Sequence, residues 1–314
     1  MSALPSLELE PVPPGPRVVA IGFFDGVHAG HRAVLAEARR VAEAAGGLPV
    51  AALTFVEHPR TVLKPDDPVP LLSTWDEKQA LLRAAGADEV IGLHFTPGLA
   101  GLDPIAFIGE VLIRHLGMAH GVVGFNFRFG RAAAGTPDLL TRVAAESGLG
   151  VTVVPPFMDG EVTVSSTAVR DAVAAGDVAL AARLLGRPWS VSGIVVPGDR
   201  RGRELGFPTA NVAVPDARLL PDTGVYAGWA GWEGEPQAPC VVNLGYRPTF
   251  DGRERRFEVH VTDRTVDLYG VAVETRLVAR IRGEQRFSGP DALVARIRED
   301  VAEARRLLSE VVTS

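Results

Sequence analysis

The chain has 314 residues, 46% of them hydrophobic and 22% charged, which excludes a disordered polypeptide and leaves room for two ordinary domains. Its longest apolar runs, such as 50–56, fall well short of the ~18 residues a membrane-spanning helix needs. The formal charge is −6, and the 32 basic residues include only two lysines, Lys64 and Lys78, so no basic face for nucleic acid and no polybasic lipid patch is expected. Residues 1–16 carry Glu8, Glu10 and five prolines, unlike a secretory leader, and the single cysteine, Cys240, excludes an internal disulfide. Both features predict a cytoplasmic protein. Nothing in the chain sets its oligomeric state, and a homo-oligomer is compatible with it.

From residue 17 to about 183, short β-branched runs alternate with longer amphipathic stretches. Strands are predicted at 17–22, 50–55, 89–95, 121–125 and 150–155, and helices at 31–45, 74–85, 104–116 and 137–146. Thr74 with Glu77 reads as a capping box, and Thr136 before Pro137 as an N-cap with proline at the first helical position. Repeated β then α predicts a Rossmann-like parallel sheet covered by helices on both faces, with ligands beyond the carboxyl ends of its strands. After residue 187 the runs 191–196, 224–232, 239–243, 256–261 and 271–281 are separated by Gly, Pro and Asp clusters instead of helices. This predicts a small antiparallel β-barrel. One closing helix follows, capped by Ser288 and Asp291, with Leu293, Ile297, Val301 and Leu308 on one face. The domain boundary is placed at Gly186, dividing the chain into 1–186 and 187–314.

The first predicted strand runs into a glycine-rich segment, 22–31, that ends in a helix and contains Gly22, Phe23, Asp25, His28, Gly30 and His31. Glycines admit a phosphate close to the backbone, a helix N-terminus offers free N–H groups, and two imidazoles three residues apart can face one anion. With no good nucleophile present, the segment suits nucleotidyl transfer by positioning and charge stabilisation. The competing reading of His-x-x-His beside Asp25 is a metal site. Asn126 and Arg128, interleaved with phenylalanines after the fourth strand, suit a nucleotide or a flat ring, or form a plain hydrophobic turn. Ser165 and Thr167, with Arg170 one turn later, read as a second phosphate grip or as an ordinary N-cap. The three clusters fall at the carboxyl ends of the first, fourth and fifth strands.

In the C-terminal half, Gly198, Gly202 and Gly206 make a glycine-rich flap with Arg200, Arg201 and Arg203. Thr209 and Asn211 follow, two neutral oxygens of the kind that suits Mg²⁺ shared with nucleotide phosphates, or an Asx turn in a basic loop. Glu258 lies in the 256–261 strand, either facing solvent or serving as a general base.

Taken together these segments resemble the bacterial bifunctional riboflavin kinase/FAD synthetase family. The resemblance rests on Gly-x-Phe-Asp-Gly-x-His-x-Gly-His (22–31), Phe-x-Glu-His-Pro (55–59), Asn-Phe-Arg-Phe-Gly (126–130), Ser-Ser-Thr-x-x-Arg (165–170), Leu-Leu-Gly-Arg-Pro (184–188) and Gly-Arg-x-Leu-Gly-Phe-Pro-Thr-Ala-Asn (202–211). It continues through Gly-Val-Tyr-Ala (224–227), Pro-Thr-Phe (248–250) and Asp-Leu-Tyr-Gly (267–270). The resemblance implies a C-terminal flavokinase barrel that phosphorylates riboflavin with ATP, and an N-terminal domain that adenylylates FMN to FAD and releases pyrophosphate. It implies ATP as co-substrate, Mg²⁺ held through Thr209 and Asn211, and Glu258 as the base toward the ribityl hydroxyl. Gly202, Arg203, Gly206, Phe207 and Pro208 would contact ATP and flavin. His28 and His31 match the ATP-phosphate histidines, with Asn126, Ser165, Thr167 and Arg170 lining the adenylylation site.

Two positions depart from the family pattern: Ala168 replaces a common arginine, and Gly283 stands where an acidic residue is usual. Two other readings are a nucleotidyltransferase whose barrel only binds flavin, and a flavin-responsive regulator. Intact Thr209, Asn211 and Glu258 weigh against the first, and intact His28 and His31 against the second.

Overall fold

The structure, a computed structural model, describes residues 12–198, 202, 205–249 and 252–312. Contacts gather the chain into two compact units, Met1–Ser166 and Thr167–Ser314.

The first unit is built on five parallel strands, β1 (Arg17–Ile21), β2 (Val50–Phe55), β3 (Glu89–Leu93), β4 (Met118–Gly124) and β5 (Gly150–Val154). Their spatial order is β3-β2-β1-β4-β5, all pairs parallel. Successive side chains of β1 go to opposite faces. Val18 and Ala20 pack with Val34, Leu35, Ala38 and Ala42 of helix α1 (Ala29–Ala44). Val19 and Ile21 pack on the other face. There the cover is a helix that starts as α-helix at Pro104–Ala106 and continues as π-helix over Phe107–His115, together with Pro137–Glu146. Two-sided cover is why these strands read as apolar runs without alternation. The order reverses between β1 and β4, so the crevice beyond their carboxyl ends is a topological switch point.

Helix α2 (Pro59–Leu63) and α3 (Trp75–Ala84) complete the β2-to-β3 crossover. The Thr74–Glu77 capping box is formed reciprocally: Glu77 N–H donates to Thr74 Oγ1 at 3.3 Å, and Thr74 N–H to Glu77 Oε2 at 2.9 Å. Thr136 caps the helix that begins at Pro137 by accepting from Leu139 N–H at 3.2 Å. After β5 comes a small hairpin, β6 (Met158–Asp159) with β7 (Val162–Thr163), that the sequence pattern does not announce.

The second unit holds a closed six-stranded barrel of β8 (Trp189–Val196), β9 (Ala210–Ala213), β10 (Gly224–Trp232), β11 (Ala238–Thr249), β12 (Gly252–Val261) and β13 (Ala272–Arg282), in the order β10-β11-β12-β9-β8-β13. All pairs are antiparallel. The closing helix, Pro290–Val312, packs Ala304 and Leu308 on Val225, Ala227 and Val241, on the outer face of the barrel. Of the barrel strands, the one missed in the sequence is β9. It has four residues and follows proline and glycine, and pairing on both sides with β12 and β8 makes it a strand.

The helix over Ser166–Ala174 carries most of its length in the second unit, as does Val178–Leu185, which packs Leu184 and Leu185 into a fully buried layer. The contacts therefore divide at Ser166/Thr167. Gly186 ends the second of these helices in a left-handed cap, φ 71°.

Candidate active sites

The 22–31 segment leaves β1 as a strained loop. Phe24 and Val27 hold φ of 54° and 40°, a region that costs a β-branched residue such as Val27 most, and Gly26 has φ of 74°. Asp25 holds this shape. Its carboxylate, fully buried, accepts from Leu72 N–H at 3.0 Å, from Ser73 N–H at 3.1 Å and from the Ser73 hydroxyl at 3.3 Å. Ser73 Oγ in turn accepts from Gly26 N–H at 3.1 Å. Gly26 packs so closely that a Cβ there would lie 2.8 Å from Leu72 Cβ. The Asp25 oxygens thus tie the loop to Leu72 and Ser73, 47 and 48 residues away.

His28 is the N-cap of α1. His31 N–H donates to its Nδ1 at 3.2 Å, and the two imidazoles stack with centroids 3.5 Å apart. With Nδ1 accepting, the neutral ring carries its proton on Nε2, which becomes a donor. His31 rests edge-on against Phe24 at 5.1 Å. Gly30 is glycine for close approach: a Cβ would sit 3.2 Å from the His28 ring. Ser166 Oγ donates to the Asp25 carbonyl at 3.1 Å, so the Ser-Ser-Thr segment meets the loop. Asn126 follows β4 and is exposed, and Phe125 N–H is tied to Val154 of β5 at 2.9 Å. The 22–31 loop, Asn126 and Ser165–Ser166 thus follow β1, β4 and β5 at the carboxyl ends of neighbouring strands, and Ser166 touches the loop. Thr167 is exposed, and Arg170 lies one helical turn past Ser166.

Beside the loop lies a cavity of about 450 Å³ that sequence reasoning missed. Gly22 and Arg128 touch it, but its walls are apolar: Phe55, Phe95, Phe107 and the pair Phe127 and Phe129 come from four different segments. Phe127 and Phe129 stack at 5.3 Å, and Phe55 meets Phe95 edge-on at 5.2 Å. The available signal is the phenylalanine spacing of 125–129 together with Phe55 in Phe-x-Glu-His-Pro. Such a slot, rimmed by one arginine, accepts a flat aromatic ring system.

In the barrel, Glu258 stands between two amides: it is directly opposite Asn211 on β9 and Asn243 on β11. Asn243 Nδ2 donates to Glu258 Oε2 at 3.3 Å, and the Arg256 guanidinium is 3.7 Å from Oε1. Glu258 faces a cavity of about 340 Å³ between the barrel's outer face and the closing helix, with Phe207, Phe287, Leu293 and Ile297 as apolar walls. A second cavity, about 350 Å³, opens at Pro208, Thr209 and the 264–269 loop. Thr209 lines both. Asn211 borders a different hollow, and its side-chain nitrogen occupies the place a Cβ on Gly198 would take, 2.0 Å away. Phe207 N–H donates to the Gly202 carbonyl at 2.7 Å, and Gly206 turns with φ 85°. Arg200, Arg201 and Arg203 lie outside the described residues.

The floor of the Glu258 cavity is a buried ion pair. Arg282 Nε and Nη2 grip Asp300 at 3.0 and 2.8 Å, and Asp300 also receives Arg296 at 3.1 Å. Asp300→Ala leaves Arg282 charged with side-chain exposure of only 15%. The expected loss is about 3 kcal/mol of barrel stability, measured by denaturant unfolding followed through Trp189, Trp229 and Trp232.

A parallel sheet whose first helix is capped by a histidine, joined to a six-stranded barrel with a carboxylate over a second cavity, fits a two-site enzyme of nucleotide chemistry. The FAD synthetase model matches residues 12–168 and the riboflavin kinase model residues 185–308. The chain belongs to the bifunctional riboflavin kinase/FMN adenylyltransferase family. It is 40% identical to that enzyme from Escherichia coli K12 over 92% of this chain and 91% of the relative, and 38% identical to the one from Bacillus subtilis 168 over 94% and 93%. A solved structure described as a macrolide-efflux protein from Streptococcus pneumoniae superposes with TM-score 0.87 at 32% identity, covering 95% of this chain and 96% of that one. Among the described residues no helix is long and apolar enough to cross a membrane.

Proposed function

We propose that this chain makes FAD from riboflavin in two steps, residues 187–314 phosphorylating riboflavin to FMN with ATP and residues 1–186 adenylylating FMN. The observation that carries the kinase half is Thr209, shared by two cavities of which one presents Glu258. The flavin ring occupies the cavity walled by Phe207 and Phe287, and ATP the one at the 264–269 loop, so the terminal phosphoryl group and the ribityl hydroxyl meet at Thr209. Glu258 accepts the hydroxyl proton as the new O–P bond forms and ADP leaves.

Thr209 stands just before β9 and Asn211 within it, with Glu258 opposite Asn211. This all-oxygen set fits a hard cation, and these are the residues that would hold Mg²⁺. When bound, the cation neutralises charge on the phosphates.

In the N-terminal domain, Nε2 of His28, His31 and the first N–H groups of α1 stabilise charge on the ATP phosphates. The FMN phosphate oxygen bonds to the α-phosphorus as the bond to pyrophosphate breaks. The phenylalanine-walled cavity beside Gly22 receives the flavin ring, with Arg128 at its rim. Asn126, Ser165, Thr167 and Arg170 are the further nucleotide contacts of this reading. Cys240, fully buried where burial pushes its thiol pKa up, accords with a reducing cytoplasm.

The test is incubation with riboflavin, ATP and Mg²⁺ followed by chromatographic separation of riboflavin, FMN and FAD. Both products are expected. Absence of FMN sinks the kinase assignment, and FMN that never becomes FAD sinks the adenylyltransferase.

A further inference from the structure

Only two of the 32 basic residues are lysines, and one of them, Lys78, is 2% exposed. It lies one turn into α3, and its Nζ reaches the carboxyl end of β2, where it donates to the Phe55 carbonyl at 2.8 Å. The same Nζ lies 4.4 Å from the centroid of the Phe23 ring and 5.7 Å from that of Trp75. Phe23 belongs to the 22–31 loop, whereas Phe55 is a wall of the flavin cavity. One ammonium therefore holds both halves of the site. The neighbouring hydrogen bond, Thr54 Oγ1 to the Phe23 carbonyl at 2.7 Å, ties the same two segments.

The residue type follows from this geometry. A compact ammonium on a flexible stem can serve one carbonyl and one ring face, while a guanidinium presents a rigid planar fork. The charge matters as well, because the attraction to the Phe23 ring exists only while Nζ is protonated. Burial pushes the Lys78 pKa down to about 8, and two carboxylates, Asp25 from the loop after β1 and Glu57 from the segment after β2, hold it up. At neutral pH the cation predominates.

We propose that Lys78 is a positioning residue for adenylyl transfer, fixing the 22–31 loop against the Phe55 wall so that the FMN phosphate and the ATP α-phosphate meet in line. The proposal rests on the adenylyl-transfer reading of this domain. Lys78 touches no ligand; it sets the distance between the two sites that do.

The experiment is steady-state conversion of FMN and ATP to FAD by full-length wild type, Lys78→Met and Lys78→Arg. Because a displacement of about 1 Å can cost about 10²-fold, Lys78→Met is expected to lower kcat between about tenfold and 100-fold, with KM for FMN and ATP within about threefold of wild type. Riboflavin phosphorylation by the same samples stays unchanged and reports that they are intact. Lys78→Arg, which keeps the charge, recovers part of kcat. Wild-type kcat falls as pH rises through about 8, the value for Lys78, and this limb is absent from Lys78→Arg. Unchanged kcat in Lys78→Met, or a raised KM at unchanged kcat, overturns the proposal, as does Lys78→Arg no better than Lys78→Met. The wild-type pH limb needs no variant, so its absence overturns the proposal even if Lys78→Met misfolds. Failure of wild type to form FAD overturns the adenylyl-transfer reading instead.

Discussion

Glu258→Gln is expected to lower riboflavin phosphorylation by about 10²-fold or more while FAD still forms from supplied FMN at the wild-type rate. Glutamine keeps the size of the side chain and an oxygen for Asn243 Nδ2, which sits 3.3 Å away in the wild type. What it removes is the capacity to accept a proton. Because the Glu258 side chain is 24% exposed and its ion pair with Arg256 is long, at 3.7 Å, the change leaves barrel stability nearly untouched. The loss therefore falls on kcat, with KM for riboflavin close to wild type, since in the proposed reading the ring packs on Phe207, Phe287 and the closing helix. Steady-state assays of both reactions on one sample check this. Equal loss of both activities would point to damaged folding, and retained phosphorylation would remove Glu258 from the chemistry.

Local signals carried the parts of this architecture that local physics dictates. The five parallel strands are legible because burial on two faces demands short apolar runs, and the helix starts at Thr74 and Thr136 because capping uses residues three apart. The histidine-glycine segment is legible because its strand-loop-helix setting lies within ten residues. Long-range pairing has no such signature. The hydrogen bonds that Asp25 accepts from Leu72 and Ser73 span 47 and 48 residues, and nothing in the 22–31 segment announces them. The cavity beside Gly22 draws five phenylalanines from four segments, so no single window of sequence shows a pocket. Nothing in the 74–85 helix pattern singles out Lys78, and only the fold brings it to Phe23 and Phe55. Strand β9, which carries Asn211, exists because β8 and β12 flank it.

Net charge misleads for a related reason. Residues 1–186 contain 14 basic and 20 acidic side chains, and residues 187–314 contain 18 of each, so the acidic excess lies in the domain proposed to bind two anions. Several of those carboxylates are engaged at short range and far from the loop: Arg39 beside Asp88 and Arg40 beside Glu37 hold both carboxyls below their ordinary range. In that proposal an anion at the start of α1 meets the helix N-terminus and the two imidazoles, and exposed charges beyond about 8 Å are screened at physiological salt. The local field decides, not the sum.

His28 is where that local field can be tested, and His28→Ala is expected to cut FAD formation by about 10²- to 10³-fold without affecting FMN formation by the barrel. Two effects combine in this variant. The cap on α1 is lost, since His31 N–H no longer has Nδ1 at 3.2 Å, and that alone costs about 1 kcal/mol of stability. The Nε2 donor is lost too, along with the ring that stacks on His31 at 3.5 Å. His28→Asn separates the two, because asparagine is among the best N-caps yet is too short to reach where Nε2 points. If phosphate stabilisation is the role, His28→Asn regains thermal stability but remains as slow as His28→Ala in turning FMN and ATP into FAD. If asparagine restores the rate, His28 is a cap and nothing more, and the charge stabilisation must come from His31 and the helix N-terminus alone.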